Sequence, residues 1–243
     1  MNNIISIYKR ELKSYFSTPV AYVFLVIFLF FSSFLTFQSG FFEAGQASLR
    51  AFFNNMPLLF LFFVPAISMR LWSEEHKSNT IELLFTLPIT TMQAVLAKFF
   101  AALSVIIIAL ILTFPMVLTV TYLGDPDPGP IITGYIGLVL MASAYLAIGS
   151  FFSSITRNQV IAFILGVVGI GIFLYSSSPS VLDFMSSFLP SGFLSASEFI
   201  SFQSRFESMM RGVLEFRDVL FFIIMSAGWL IANSMIIEER KGA

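Results

Sequence analysis

Six long stretches without a charged side chain dominate this sequence of 243 residues. A helix that crosses a bilayer needs about 20 predominantly apolar residues. The shortest stretch has 19 residues and the longest has 29, so each has room for one crossing and none for two. The sequence therefore predicts an all-α, polytopic membrane protein with six spans, at 19–42, 51–71, 91–123, 131–155, 158–177 and 218–238.

The composition agrees with a membrane protein and excludes several other classes. Hydrophobic residues make up 57% of the chain and charged residues only 11%, against about 25% charged residues in an ordinary soluble domain. The net charge of −1 excludes a protein that binds nucleic acid through bulk charge. The absence of cysteine excludes disulfides and thiolate metal sites.

The distribution of lysine and arginine predicts the orientation, because loops on the cytoplasmic side are rich in these residues. In the six-span arrangement four arginines fall on one side: Arg50, Arg205, Arg211 and Arg217. The other nine cations fall on the side of both termini, which we therefore expect to be cytoplasmic. They are Lys9, Arg10, Lys13, Arg70, Lys77, Lys98, Arg157, Arg240 and Lys241.

The centres of the expected spans carry no ionisable side chain. Ion-driven carriers generally place such groups at membrane depth, where they bind the coupling ion. An ion-driven carrier is therefore disfavoured, although backbone carbonyls can also coordinate sodium. If the chain moves a solute, the sequence favours an energy source in another chain.

Residues 1–17 are predicted to form an amphipathic interface helix that lies in the membrane surface. Lys9, Arg10, Glu11 and Lys13 are expected on its polar face. A surface anchor that contacts membrane lipid is one interpretation, and contact of Tyr8, Arg10 and Glu11 with a cytoplasmic partner is another. The expected apolar stripe is Ile4, Ile5, Tyr8, Leu12, Tyr15 and Phe16.

The polar segment "EEHKSNTIELLFTLPIT" (74–90) separates the second and third spans. Asn79 and Glu82 have capping-box spacing, as do Thr90 and Gln93. Pro88 disfavours helical dihedrals at the residue before it, so a short helix is predicted at 79–87. Because so short a helix is unstable alone in water, we expect it to dock on another protein, with a solvated connector as the alternative.

Two other connections are informative. The tight 154–158 connector carries Arg157, which suits either positive-inside anchoring or contact with a partner. The segment 178–217 is too long for a plain connector and predicts two extracytoplasmic interfacial helices, with a capping box at Ser195 and Glu198. These helices would cap a pathway, receive a partner or form an inert lid. Their second apolar stripe is Phe199, Phe202, Phe206, Met210 and Val213 or Leu214.

Small residues four apart predict close helix approach in the fourth and fifth spans. They are Ser143 with Ala147 and Ala162 with Gly166, followed by Gly169 and Gly171.

The chain lacks the residue patterns of an enzyme. His76 is the only histidine and the chain has no cysteine, so no second ligand of either type is available for a metal site. The sequence contains no Gly-x-Ser-x-Gly motif for hydrolysis and no Gly-x-x-x-x-Gly-Lys-Ser/Thr loop for ATP phosphates. We therefore expect no catalytic, cofactor or metal site in this chain.

Three segments resemble the ABC-2-type permeases, the membrane subunits of ATP-binding cassette exporters. They are "YKRELKSYF" near the start, the 74–90 segment, and "SSITRNQVIAF" at 153–163. Asn79 stands where the family usually has glycine. The size and the motif are most similar to the gliding-motility-associated (GldF-like) subgroup, followed by the permeases of nitrous-oxide-reductase maturation. The residues of the 79–88 segment that match the family pattern are Thr80, Glu82, Leu83, Leu84, Thr86 and Pro88.

The resemblance implies one transmembrane permease domain over 1–243, in a bacterial inner membrane, whose 79–87 coupling helix docks on an ATP-binding subunit. That subunit, present as a dimer, would bind ATP and Mg. Spans two and five would face a second permease copy or a paralogous membrane subunit, which can carry a large extracytoplasmic domain. The docking residues would be those six matches with Asn79, Tyr8, Arg10, Glu11 and Arg157. Export or mechanical transmission is the expected function, and a non-transporting scaffold for an ATPase is the alternative.

Overall fold

The computed structural model describes residues 2–43, 45–78, 89–178, 181, 183 and 200–242, and the regular structure of these residues is helical throughout. The helices in chain order are α1 (Asn2–Ser17), α2 (Pro19–Gln38), α3 (Arg50–Ser68), α4 (Arg70–Ser78), α5 (Thr91–Ile111), α6 (Phe114–Leu123), α7 (Pro128–Ile155), α8 (Gln159–Tyr175), α9 (Phe202–Met210) and α10 (Phe216–Gly242). The expectation of an all-α chain is thus confirmed for the described residues.

Among the described residues, five helical stretches are long and apolar enough to cross a membrane. They are Ala21–Gln38, Arg50–Ser78, Thr91–Leu123, Pro128–Ile155 and Phe216–Arg240. The fifth expected span, 158–177, corresponds to α8, which has 17 residues and falls short of the usual length of about 20. Length and composition therefore support five spans among the described helices, and the six-span arrangement stays a prediction.

Two of these stretches are interrupted near a proline. Met69 separates α3 from α4, four residues after Pro65, and its backbone N–H donates to the Pro65 carbonyl. The break between α5 and α6 falls at residues 112–113, just before Pro115 in the first turn of α6. A proline inside a helix removes one backbone hydrogen bond and kinks the chain, which explains the position of both breaks.

Several helices begin at a residue whose side chain caps the first turn. Asp127 accepts from the Gly129 N–H and starts α7, and Asn158 accepts from the Val160 N–H and starts α8. Thr18 stands before Pro19 at the start of α2, but its side chain makes no capping hydrogen bond there. Its hydroxyl donates instead to the carbonyl of Tyr15, at the end of α1.

The core forms where α3, α7 and α8 pack closely on one another. A Cβ atom built on Gly149 would lie 2.9 Å from Ser68 Cβ, and one on Gly166 would lie 3.3 Å from Pro65 Cβ. A Cβ on Gly169 would clash with the Phe152 ring. The predicted close approach is confirmed at Gly166 and Gly169, because an added Cβ would come closer to a neighbouring helix than ordinary packing allows at both positions.

Helix α9 packs on the bundle through part of its predicted apolar stripe. Phe202, Phe206 and Met209 are fully buried in the bundle, and Phe206 and Met209 lie against Gly137 of α7. The helix ends at Met210, and Gly212 turns the chain with φ +89. Val213 and Leu214 therefore leave the helical period and are exposed, contrary to the predicted stripe.

A buried ion pair joins α9 to α10. Arg205 Nη1 lies 3.0 Å from Asp218 Oδ1, and the Ser208 hydroxyl donates to Asp218 Oδ2. Asp218 is almost wholly buried, so both of its oxygens are satisfied inside the protein. This contact fixes the short α9 helix against the first turn of α10.

Candidate functional site at the base of the 79–88 segment

Three helices meet where the chain enters and leaves the 79–88 segment. Lys98 of α5 is only 3% exposed, and its Nζ lies 3.0 Å from Glu75 Oε1 of α4 and 3.3 Å from Glu11 Oε1 of α1. The same ammonium lies 5.4 Å from the ring centroid of Trp72, which is fully buried. We refer to Glu11, Trp72, Glu75 and Lys98 as the base cluster.

The charges of the base cluster compensate one another. A buried ammonium is unfavourable unless it is paired, and Lys98 has two carboxylates and an aromatic face as partners. Arg10 adds a cation 3.1 Å from Glu11 Oε1, on the exposed side of α1. Two cations thus face two carboxylates, so the Lys98 ammonium has ion-pair partners inside the protein.

Local sequence signals bring these side chains to one place. Trp72 and Glu75 are three residues apart on α4 and therefore share a helix face. On the other side of the segment, the predicted capping box at Thr90 and Gln93 is confirmed. The Gln93 N–H donates to Thr90 Oγ1 and the Thr90 N–H donates to Gln93 Oε1, each at 3.2 Å. This cap starts α5 seven residues before Lys98.

Helix α1 packs on the protein along its length. The Tyr8 hydroxyl lies 2.9 Å from the Ser104 hydroxyl of α5, and Tyr15 donates to the Ile67 carbonyl of α3. Burial raises the pKa of the Tyr15 hydroxyl, which therefore stays a neutral donor. Ile7 is buried, whereas Ile5 of the predicted stripe is exposed, because the face that packs on α5 is rotated from the expected one.

The predicted docking residues fall into three groups. Tyr8 and Glu11 are engaged inside the protein by Ser104 and Lys98, whereas Arg10 and Arg157 are exposed. The docking role of all of them stays a prediction. The predicted helix at 79–87 and the capping box at Ser195 and Glu198 lie outside the described residues. The docking candidates that also lie outside them are Asn79, Thr80, Glu82, Leu83, Leu84, Thr86 and Pro88.

Sequence reasoning missed the base cluster as a unit. The orientation argument uses Lys98 only as a cation on the side of the termini. The residue also interrupts the apolar pattern "VLAKFFAAL" (95–103) within a helix. A lone charge in such a pattern is a signal that a buried partner exists. The sequence alone does not show which residue pairs with Lys98, because Glu11 and Glu75 lie far from it along the chain.

His76 follows Glu75 on α4 and is also buried. Within the described part of the chain no group of three or more histidine, cysteine or acidic side chains could hold a metal ion.

Together, the apolar helices and their buried packing define a multi-pass helical membrane protein. Residues 35–237 match the family described as ABC-2 family transporter protein, which is well over half of the chain. The chain therefore belongs to the ABC-2 transporter family. The matched range contains α3 to α9 and leaves α1 outside it. No curated protein matches the chain.

Membership in this family makes the chain a membrane component of an ABC transporter. It also implies pairing with an ATP-binding subunit. The fold and the family thus agree on the coarse function expected from the sequence.

Proposed function

We propose that this chain is the permease subunit of an ABC-2 transporter and that its 79–88 segment docks on a separate ATP-binding subunit. ATP-driven movement of that subunit would push the segment and, through it, the membrane helices. The chain would lie in a bacterial inner membrane with both termini in the cytoplasm, a placement supported by the nine-to-four distribution of lysine and arginine.

The observation that carries the proposal is the ion pair between Glu75 and Lys98. Glu75 lies four residues before the segment and Lys98 ten residues after it, and their side chains are in contact at 3.0 Å. Glu11 joins the same ammonium from α1. A force on the 79–88 segment would therefore reach α1, α4 and α5 together, since the helices that flank the segment are linked at its base.

Docking would involve the 79–88 segment, by its similarity to the family pattern, through Asn79, Thr80, Glu82, Leu83, Leu84, Thr86 and Pro88. Arg10 and Arg157 are exposed and charged, which supports their inclusion at the rim of the same contact. The similarity to the gliding-motility subgroup rests on the 79–88 motif and stays a prediction, as does the second permease copy.

Reconstitution in nanodiscs with an ABC ATP-binding subunit from the same genome tests the proposal. The permease is expected to change the ATP hydrolysis rate of that subunit several-fold. Glu82→Lys, inserted in equal amount, is expected to abolish this change. Glu43→Lys is the matched control, because it makes the same charge change at an exposed position in the connection between α2 and α3.

Two results would contradict the proposal: absence of a stable complex with the wild-type chain, or full stimulation by Glu82→Lys. A further measurement separates a transporter from a static scaffold for an ATPase. In a transporter, ATP is expected to change the labelling rate of a cysteine introduced at Val213, an exposed residue between α9 and α10. An unchanged rate, with ATP hydrolysis intact, would favour the scaffold.

A further inference from the structure

The hydroxyl of Ser153 on α7 forms three hydrogen bonds to the start of α4. It donates to the Met69 carbonyl at 2.9 Å and accepts from the backbone N–H groups of Trp72 and Ser73, each at 3.1 Å. A serine hydroxyl has one donor and two acceptor sites, so Ser153 uses its full capacity here. Ser153 is fully buried, which excludes water as a substitute partner.

These contacts have the form of a helix cap supplied by another helix. The first N–H groups of a helix have no partner within the helix and are usually satisfied by a side chain next to them in sequence. Trp72 and Ser73 are the third and fourth residues of α4, and their acceptor comes from a residue 81 and 80 positions away. Ser153 thus caps α4 in trans at the Met69 break.

A second chain of hydrogen bonds continues from α4 through α7 to α10. The Trp72 indole N–H donates to Ser150 Oγ at 3.3 Å, and the Asn233 amide donates to the same oxygen at 2.7 Å. All three side chains are buried. Hydrogen bonds in such a dry environment hold their geometry tightly, because breaking them leaves a buried polar group unsatisfied.

Helices α7 and α10 are themselves held in one register. The Ser143 and Ser226 hydroxyls are 3.0 Å apart, and this pair and the Ser150–Asn233 pair have the same sequence separation of 83. The two pairs are seven residues apart along both helices, which is the repeat of parallel helices packed as a coiled coil. At the end of α7, Arg240 donates to the Ile155 carbonyl.

From these contacts we infer that Ser153 is a positioning residue, which caps α4 in trans and makes α4 move as one body with α7 and α10. Under the proposed function, on which this consequence rests, a push on the 79–88 segment is delivered to α10 through the Ser153 and Ser150 contacts.

Hydrogen exchange of the full chain in nanodiscs, without an ATP-binding subunit, tests the cap directly. Ser153→Ala is expected to speed exchange at Trp72 and Ser73 by about tenfold or more, because two buried donors lose their acceptor. Ser154→Ala is the matched control. Ser154 is the next residue, is equally buried, and donates only to the Phe151 carbonyl of its own helix.

A conservative variant keeps the test decisive if Ser153→Ala does not insert. Ser153→Cys retains the size of the side chain but forms weaker hydrogen bonds, so it is expected to give an exchange rate between wild type and Ser153→Ala. Equal exchange at residues 72–73 in wild type, Ser153→Ala and Ser153→Cys overturns the cap. If Ser153→Ala fails to insert in the membrane, only Ser153→Cys is compared with the wild type. Equal exchange rates at residues 72–73 in these two chains then overturn the cap.

A distance between two spin labels tests whether α4 moves as one body with α7 and α10. Spin labels at Lys77→Cys on α4 and Glu239→Cys on α10 occupy exposed positions, and excess unlabelled chain keeps one labelled copy per assembly. The wild type and Ser154→Ala are expected to give one narrow distance, unchanged by ATP in the complex. Ser153→Ala is expected to broaden the distribution of this distance and to make the distance change with ATP, while ATP hydrolysis continues.

A wild-type distance that changes with ATP overturns the rigid body, even if docking is correct. Conversely, failure to form the complex contradicts the proposed function. The exchange rates and distances measured on the isolated chain still show whether Ser153 caps α4.

Discussion

Lys98 and Glu75 form an ion pair of 3.0 Å across the two ends of the 79–88 segment, inside the protein and against the ring of Trp72. Because this contact joins α4 to α5, and Glu11 adds α1 to the same ammonium, the three helices form one base for the segment. The predictions below test this base and the packing that supports it.

Replacing Lys98 by methionine is expected to lower the free energy of unfolding by about 3–5 kcal/mol, because two partly buried carboxylates lose their common cation. Lys98→Arg should lose less, since it keeps the charge. Unfolding in mixed detergent micelles measures the difference. The control is Lys9→Met, which removes an exposed lysine of α1. A loss for Lys98→Met no larger than that for Lys9→Met would contradict a structural role of the base cluster.

Gly149→Ala is expected to destabilise the chain by about 1–3 kcal/mol, as overpacking of a close helix contact does. The new methyl group would lie 2.9 Å from Ser68 Cβ. Gly228→Ala is the matched substitution, because nothing lies within 4 Å of its added Cβ. It should be neutral or stabilising by up to about 1 kcal/mol. The same unfolding measurement compares them, and equal effects would argue against tight packing of α3 on α7.

Asp218→Asn is expected to lower stability by about 3–5 kcal/mol, because it removes the charge paired with Arg205 in a buried site. The comparison is Glu207→Gln, which breaks the exposed pair with Arg211 and should change stability by less than about 1 kcal/mol. The stability changes of both variants are measured by thermal unfolding, which is monitored as the loss of monodisperse protein. If the two variants behave alike, the contact does not fix α9 to α10.

Thr90→Ala is expected to weaken the start of α5 by about 1 kcal/mol, the usual effect of losing a capping side chain. Hydrogen exchange should become faster at residues 91–94 and stay unchanged near the middle of α5. Thr119→Ala serves as the control, because that hydroxyl is exposed and bonds only to the Pro115 carbonyl of its own helix. Unchanged exchange at 91–94 would show that tertiary packing alone starts the helix.

The orientation can be measured with single cysteines, because the natural chain has none. A cysteine at Gln46, in the exposed connection between α2 and α3, is expected to react with a membrane-impermeant maleimide in intact cells. A cysteine at Glu239 should react only after permeabilisation. The reverse pattern would place both termini outside and remove the basis for cytoplasmic docking.

The sequence alone determined the class of protein and much of the helix layout. Uncharged apolar stretches predicted the membrane helices, and the Thr90–Gln93 spacing predicted the start of α5, which the hydrogen bonds confirm. These predictions succeed because membrane burial and helix capping depend on residues within a few positions of one another.

The site, by contrast, was decided by the tertiary structure. The family resemblance implied Tyr8, Arg10, Glu11 and Arg157 as docking residues for an ATP-binding subunit, but the sequence did not show that Glu11 pairs with Lys98. Nor could it show that Ser153 caps α4. These partners are 80 or more positions apart, and only the packing of α1 and α7 against α4 and α5 brings them within hydrogen-bonding distance. A single sequence encodes the donors and acceptors, while the fold decides which of them meet.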